Sequence, residues 1–197
     1  MWIFWLWACS GGGDTLTGGI DMTDAWVAED GRYQVFRLLG PEEEPSADTG
    51  NLGAGRVLTE TQEGGCDLDR KWRYEIRNGE SWTSSDFVTA LHFNDSSGLE
   101  ICGYEEDDGT LMILDPAVEL WSSRTVEDGA VVDSGEFSVT ASVLDDLVTY
   151  YGVFSKAVAF DIEGPVDGLT ARLVFVSDMG LVLVRTHEFT ADLVYVR

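Results

Sequence analysis

The chain has 197 residues, 44% of them hydrophobic and 11% aromatic, enough to fill the core of one domain. Its 36 Asp and Glu stand against 12 Lys and Arg, a formal net charge of -24. Such a surface repels phosphate backbones and excludes nucleic acid as a partner, and it leaves no basic patch to draw the chain onto anionic headgroups. No apolar run approaches the roughly 20 residues that a spanning helix needs.

The chain begins Met1-Trp2-Ile3-Phe4-Trp5-Leu6-Trp7-Ala8, an apolar run that stops at Cys9 and gives way to Ser10-Gly11-Gly12-Gly13. The tetrapeptide Leu6-Trp7-Ala8-Cys9 resembles the lipobox of a bacterial lipoprotein signal peptide. The resemblance implies that residues 1–8 are a signal remnant, that Cys9 is lipidated, and that residues 9–25 form a flexible tether. It places the protein outside the cytoplasm, anchored to a membrane by acyl chains, in the outer membrane or periplasm of a bacterium. Ser10, in place of Asp, resembles the lipoproteins sent to the outer membrane. One acyl chain anchors weakly, whereas several hold stably. The competing reading makes Trp2 to Trp7 a buried first strand and Cys9 a core thiol.

A single β domain is expected over residues 26–197. Tyr33, Val35 and Arg37 alternate with their neighbours in a strand closed by Gly40-Pro41, and the acidic stretch Pro41 to Gly55 reads as a surface loop. Trp72, Tyr74 and Ile76 alternate with Arg73, Glu75 and Arg77, a period-2 pattern with one apolar face. Asn78-Gly79 then signals a hairpin. Phe87, Leu91 and Phe93 precede a turn at Asn94 to Gly98, followed by Leu99 and Ile101. Glu105 to Gly109 forms the next turn, and Leu111 to Leu114 a strand that Pro116 is expected to stop. A short helix is allowed near Val143 to Tyr150. Phe137 to Val143, Ala157 to Ile162, Leu169 to Val176, Leu181 to Arg185 and Phe189 to Val196 read as strands, with turns at Gly164-Pro165 and Asp178-Met179-Gly180. The predicted fold is mainly all-β, with at most one or two short helices: a large curved antiparallel sheet, half-barrel or barrel, or alternatively a β-sandwich.

Setting Cys9 aside leaves Cys66 and Cys102, an even pair that suits a disulfide in an oxidising compartment. Loop-closure entropy for a ring of that size gives about 3.8 kcal/mol. Two buried reduced thiols are the alternative. The acidic turns offer Asp67, Asp69, Glu105, Glu106, Asp107 and Asp108 as weak calcium ligands, although the EF-hand spacing is missing. His92 lies between Leu91 and Phe93 in a strand, and His187 sits beside Glu188 near a turn; a metal site would require them to converge. Paired carboxylates with Trp72, Trp82 and Trp121 as sugar platforms would suit a glycosidase, but such Trp residues more often fill a β core. The chain holds no Gly-x-Ser-x-Gly, phosphate loop or Cys-x-x-Cys, so neither an enzyme nor a cofactor is expected.

Thr149-Tyr150-Tyr151-Gly152-Val153-Phe154, Met179-Gly180-Leu181-Val182-Leu183-Val184, the closing Phe189 to Val196 strand and Trp72-Arg73-Tyr74 together resemble a group of secreted bacterial lipoproteins. Those proteins carry a large curved sheet in the style of the lipoprotein-carrier half-barrel. The resemblance spans roughly Trp72 to Arg197 and implies a fold and a location, without catalytic residues. It leaves two expectations. The first is a non-catalytic envelope lipoprotein, structural or binding a partner protein. The second is a carrier of an apolar ligand, such as an acyl chain or lipoprotein tail, in the concave face of the sheet.

Overall fold

The computed structural model describes residues 19–22, 33–41, 43–45, 55–62, 69–78, 81–84, 90–95, 98–106, 108–123, 125–187 and 189–196. Its strands are β1 (Ile20–Asp21), β2 (Tyr33–Leu39), β3 (Gly55–Gln62), β4 (Asp69–Asn78), β5 (Ser81–Ser84), β6 (Ala90–Asn94), β7 (Leu99–Glu105), β8 (Leu111–Trp121) and β9 (Thr125–Val126). They continue as β10 (Val131–Ser134), β11 (Phe137–Leu144), β12 (Leu147–Val148), β13 (Val153–Phe154), β14 (Ala157–Glu163), β15 (Ala171–Val176), β16 (Gly180–Arg185) and β17 (Thr190–Val196). A single 3-10 turn, Asp167–Leu169, is the one helical element among the described residues.

Thirteen strands form one antiparallel sheet in the order β10-β11-β14-β15-β16-β17-β2-β3-β4-β6-β7-β8, with β5 paired to β4 alone. A sheet this wide cannot stay flat. Register shifts at Val174/Phe175, Leu193/Tyr195, His92/Phe93 and Ile101/Gly103 add bend and twist where they fall. The sheet curls until its two ends, β8 and β10, pack against each other. Trp121, on the last strand of the order, stacks on Phe160 of β14 at 5.2 Å and meets Phe175 of β15 edge-on at 5.4 Å. The ends share no ladder. Instead, the backbone N–H of Glu119 donates to Ser134 Oγ at 3.2 Å. The result is a curled sheet short of a closed barrel, as the all-β reading expected.

The inner face of β11 and β14–β17 is apolar because residues two apart share a face. Ala141, Phe160, Leu173, Val184 and Ala191 form one cross-strand row across it, and all are buried. Phe160 and Phe175 also pack on each other at 5.9 Å. The outer face of these strands is covered by residues 145–156, which join β11 to β14 and fold back over the sheet as a flap containing the β12–β13 hairpin.

Three expectations are corrected. The segment Val143 to Tyr150 is not a helix: Val143 and Leu144 end β11, Asp146 takes a left-handed φ of 57°, and Leu147-Val148 pair with Val153-Phe154. The β-branched Val148, Thr149 and Val153 favour the extended form. Pro116 does not stop its strand either; β8 runs through it to Trp121. Pro lacks an amide donor, but β8 is an edge strand, where no ladder partner awaits that N–H. Around Pro116 the register jumps from Gly103↔Ile113 to Ile101↔Val118, so the proline sits in the irregular stretch between two paired segments. Finally, residues 9–25 are not tether throughout. Ile20 and Asp21 pair with Val126 and Thr125 of β9, and Met22 is buried in the main core. The domain boundary therefore lies before residue 26.

Candidate functional site

The outer face of β14–β17 carries charge where a covered sheet face would ordinarily be apolar. One cross-strand row runs Thr140, Asp161, Arg172, Arg185, Thr190. The next runs Ser142, Ala159, Val174, Leu183, Asp192, Arg37. Asp192 and Arg37 are 0% and 2% exposed, and Arg37 Nη2 donates to Asp192 Oδ2 at 2.5 Å. A buried pair of this kind needs every remaining lone pair served to offset its desolvation.

The flap serves the carboxylate side of the pair. The backbone N–H of Tyr150 donates to both carboxylate oxygens of Asp192 at 3.1 Å, and the Tyr150 ring lies 5.3 Å from the Arg37 guanidinium carbon, within cation–π range. The neighbouring N–H of Tyr151 donates to the Leu193 carbonyl at 3.0 Å. Thr149 shapes the tip: its N–H and Oγ1 donate to the Gly152 carbonyl, and the Gly152 N–H donates back to Oγ1. Burial pushes the Asp192 carboxyl above its ordinary value, against the hydrogen bond from Arg37 and the amide of Tyr150, which favour the charge.

Between flap and sheet lies an open cleft of about 430 Å³. Val174 and Leu183, both buried, form its floor, and Leu147 and Val148 of the flap form a wall. Arg172 and Arg185 stand at its edge, opposite one another in the ladder. Arg172 Nε lies 3.7 Å from Asp161 Oδ1. Arg185 Nε donates to Thr190 Oγ1 at 3.1 Å and its Nη2 to Glu44 Oε1 at 3.0 Å. A second cleft, also about 430 Å³, opens at the seam between β8 and β10, where Trp121, Val126, Val132 and Val139 line it.

The residues expected from sequence to carry chemistry are placed elsewhere. Cys9, Cys66, Asp67 and Asp107 lie outside the described residues, so lipidation and the Cys66–Cys102 pair fall there too. Cys102 is buried on β7, its Sγ 3.4 Å from the His92 carbonyl oxygen. Asp69 aligns with Asn94, and Asn94 with Glu100, while Arg73 aligns with Ala90, and Ala90 with Glu105. Asp69 is thus four residues, about 13 Å along the strand, from the level at which Glu106 and Asp108 begin their turn. The register of β4, β6 and β7 therefore does not bring Asp69 to that turn. Asp108 is exposed, and hydrogen bonds from Thr110 hold its carboxyl below the ordinary value. Among the described residues, no group of His, Cys, Asp and Glu is set to hold a metal.

His92 is buried, with Nε2 3.1 Å from Glu105 Oε1. His187 is exposed in the β16–β17 turn, and β2, β3 and β4 separate the two histidines in the sheet. Trp121 is no sugar platform, being packed against Phe160 and Phe175. Trp72 and Trp82 lie on β4 and β5.

The sequence carries one signal for Arg37, Asp192, Arg172 and Arg185. Each interrupts an apolar strand, as in Val35-Phe36-Arg37-Leu38 and Ala191-Asp192-Leu193-Val194. What sequence could not supply is the register that sets them side by side. No protein-family model matches the chain, and neither a curated protein nor a solved structure is similar to it by sequence or fold.

Proposed function

We propose that the protein is a non-catalytic lipoprotein of the bacterial cell envelope, held to the membrane through acyl chains on Cys9, that binds its partner or ligand with the outer face of its sheet. The observation that carries the binding face is the contrast between the two surfaces of β14–β17. The inner one is filled by its own rings, while the outer one carries a cleft edged by two arginines. Over β14–β17 the concave face is filled by these rings, and contact on these strands is made from outside.

The anchor reading rests on the apolar run ending at Cys9. Pairing of β1 with β9 adds a consequence: the eleven Cα-to-Cα steps from Cys9 to Ile20 span at most about 40 Å, so acylation would hold the domain close to the bilayer. In this compartment Cys66 and Cys102 would be joined as a disulfide.

The second reading, an apolar ligand such as an acyl chain, finds room at the seam cleft, lined by Trp121, Val126, Val132 and Val139.

The test is expression of the full chain in a bacterium with two membranes. Labelled palmitate should enter the protein and vanish with Cys9→Ser, and the intact mass should fall two hydrogens below that of the reduced chain. Unchanged labelling in Cys9→Ser would remove the lipoprotein reading; a fully reduced mass would remove the disulfide.

A further inference from the structure

We infer that the cleft under the flap binds a zwitterionic amphiphile, a molecule with a phosphate, an amine and an apolar tail. The inference deepens the proposed binding function, resting on the outer face being the binding face; it does not depend on acylation of Cys9.

The phosphate position follows from the arginine pair. Like charges directly opposite in a ladder destabilise a sheet, yet this chain sets Arg172 against Arg185 while holding 12 Lys and Arg in all. Arg185 Nε donates to Thr190 Oγ1, but the opposite charges that answer the pair are weak. At 3.7 Å, Asp161 is beyond hydrogen-bond reach of Arg172 Nε, and Glu44, which pairs with Arg185, is 78% exposed and therefore easily displaced. Opposite positions in the ladder put two guanidinium-bearing side chains at one edge of the cleft, and such forks match the oxygens of a phosphate.

The tail position follows from the next row of the sheet. Val174 and Leu183 are two residues along the same strands and therefore on the same face. With Leu144 and Leu147 from the flap side, they make the cleft apolar immediately beside the guanidinium groups.

The amine follows from charge. Asp145 and Asp146 are exposed at the root of the flap and line the same cleft. They would repel a simple anion, as would the net charge of -24. A cationic group on the ligand converts both into attraction. The volume, about 430 Å³, lies within the usual range for small-ligand sites.

Calorimetric titration of the full chain with three probes, each below its micelle concentration, tests the assignment. Dihexanoyl-phosphatidylethanolamine carries all three parts, dihexanoyl-phosphatidate lacks the amine, and phosphoethanolamine lacks the tails. The first should bind most tightly. Arg172→Gln and Arg185→Gln should each weaken it about tenfold or more, the range for lost charged hydrogen bonds. Arg172→Lys should restore part of that loss, and it retains a charge should the glutamine variant fail to fold. Failure of the first probe to bind overturns the proposal. So does equal affinity for the phosphatidate or for phosphoethanolamine, because the amine or the tail then contributes nothing. Undiminished binding by folded Arg172→Gln and Arg185→Gln variants places the ligand elsewhere and overturns the site while leaving a binding protein. Palmitate labelling, scored separately, reports on the anchor alone.

Discussion

The two faces of β14–β17 are built from alternate residues of the same strands and obey different rules. Inward, Phe160, Leu173, Val184 and Ala191 make a dry row. One residue along, Asp161, Arg172, Arg185 and Thr190 make a polar row on the outside. Burial alone does not separate them, since Val174, Leu183, Asp192 and Arg37 on the outer face are as inaccessible as the inner row. The difference is what does the covering. Inner residues are covered by the curl of the sheet itself. Outer ones are covered by a flap, docked by backbone donors onto a carboxylate and a carbonyl. The inner face is thus held by area and packing, and the outer face by a few directed bonds.

The largest effects should come from removing one member of either arrangement. Phe160→Ala deletes a ring that touches Trp121 and Phe175 and should cost about 3–5 kcal/mol. Arg37→Met leaves the Asp192 carboxylate buried without its guanidinium and should cost a similar amount, about 3–5 kcal/mol. The two faces part on rescue. Arg37→Met combined with Asp192→Leu removes both charges and should recover most of the loss, since an apolar pair of similar volume often replaces a buried ion pair without penalty. Urea denaturation of the single and double variants measures this. A double variant as weak as Arg37→Met would show that the outer face needs the ion pair itself, for instance to seat Tyr150.

A smaller effect distinguishes the faces by pH. The inner face has nothing to titrate, whereas the buried Asp192 carboxyl is raised above its ordinary 3.8, burial outweighing Arg37 and the Tyr150 amide. The native chain then holds that proton more tightly than the unfolded chain. Its stabilising contribution is complete below the unfolded value and is lost as pH rises through the folded one. The stability of wild type minus that of Asp192→Asn should therefore decline as pH rises above the ordinary carboxylate value. Other carboxylates, Asp108 among them, cancel in the subtraction. A flat or rising difference would mean that Arg37 outweighs burial.

Much of the sheet was legible because period-2 alternation is written in the side chains. Phe137 to Ser142 alternates in the sequence and alternates in burial. Asn78-Gly79 announced a hairpin, and β4 does return through β5, closing at Asn78↔Ser81. The signal failed wherever a long-range partner decided the outcome. Nothing local in Gly19 to Met22 reveals that β9 waits for it. Pro116 reads as a stop until β8 is known to be an edge. The helix expected near Val143 to Tyr150 was a flap hairpin, because Tyr150 and Tyr151 have acceptors on β17, over forty residues away. The candidate site was illegible for the same reason: Arg172 and Arg185 meet only through the register of β15 and β16.

The smallest predicted effect concerns the seam, where the curl ends. Two edge strands in contact would ordinarily either ladder or be blunted against foreign pairing. Here β8 and β10 are joined by the bond from the Glu119 amide to Ser134 Oγ, and the Gly135 turn is set against Pro116, its carbon positioned so that a Cβ there would come 3.0 Å from the proline Cδ. Both devices hold β10 beside β8 without offering it a ladder, which leaves the seam cleft open. Ser134→Ala removes the hydroxyl acceptor from a partly buried amide and should cost about 1 kcal/mol. It should also speed hydrogen exchange at Glu119 while leaving the amides of β14 and β15 protected, because their ladder partners are β11, β14, β15 and β16 and neither seam strand. Loss of protection spreading into β14 would mean that the seam bond sets the curl. The inner face would then owe its closure to a directed bond after all, and the contrast between the two faces would be one of degree.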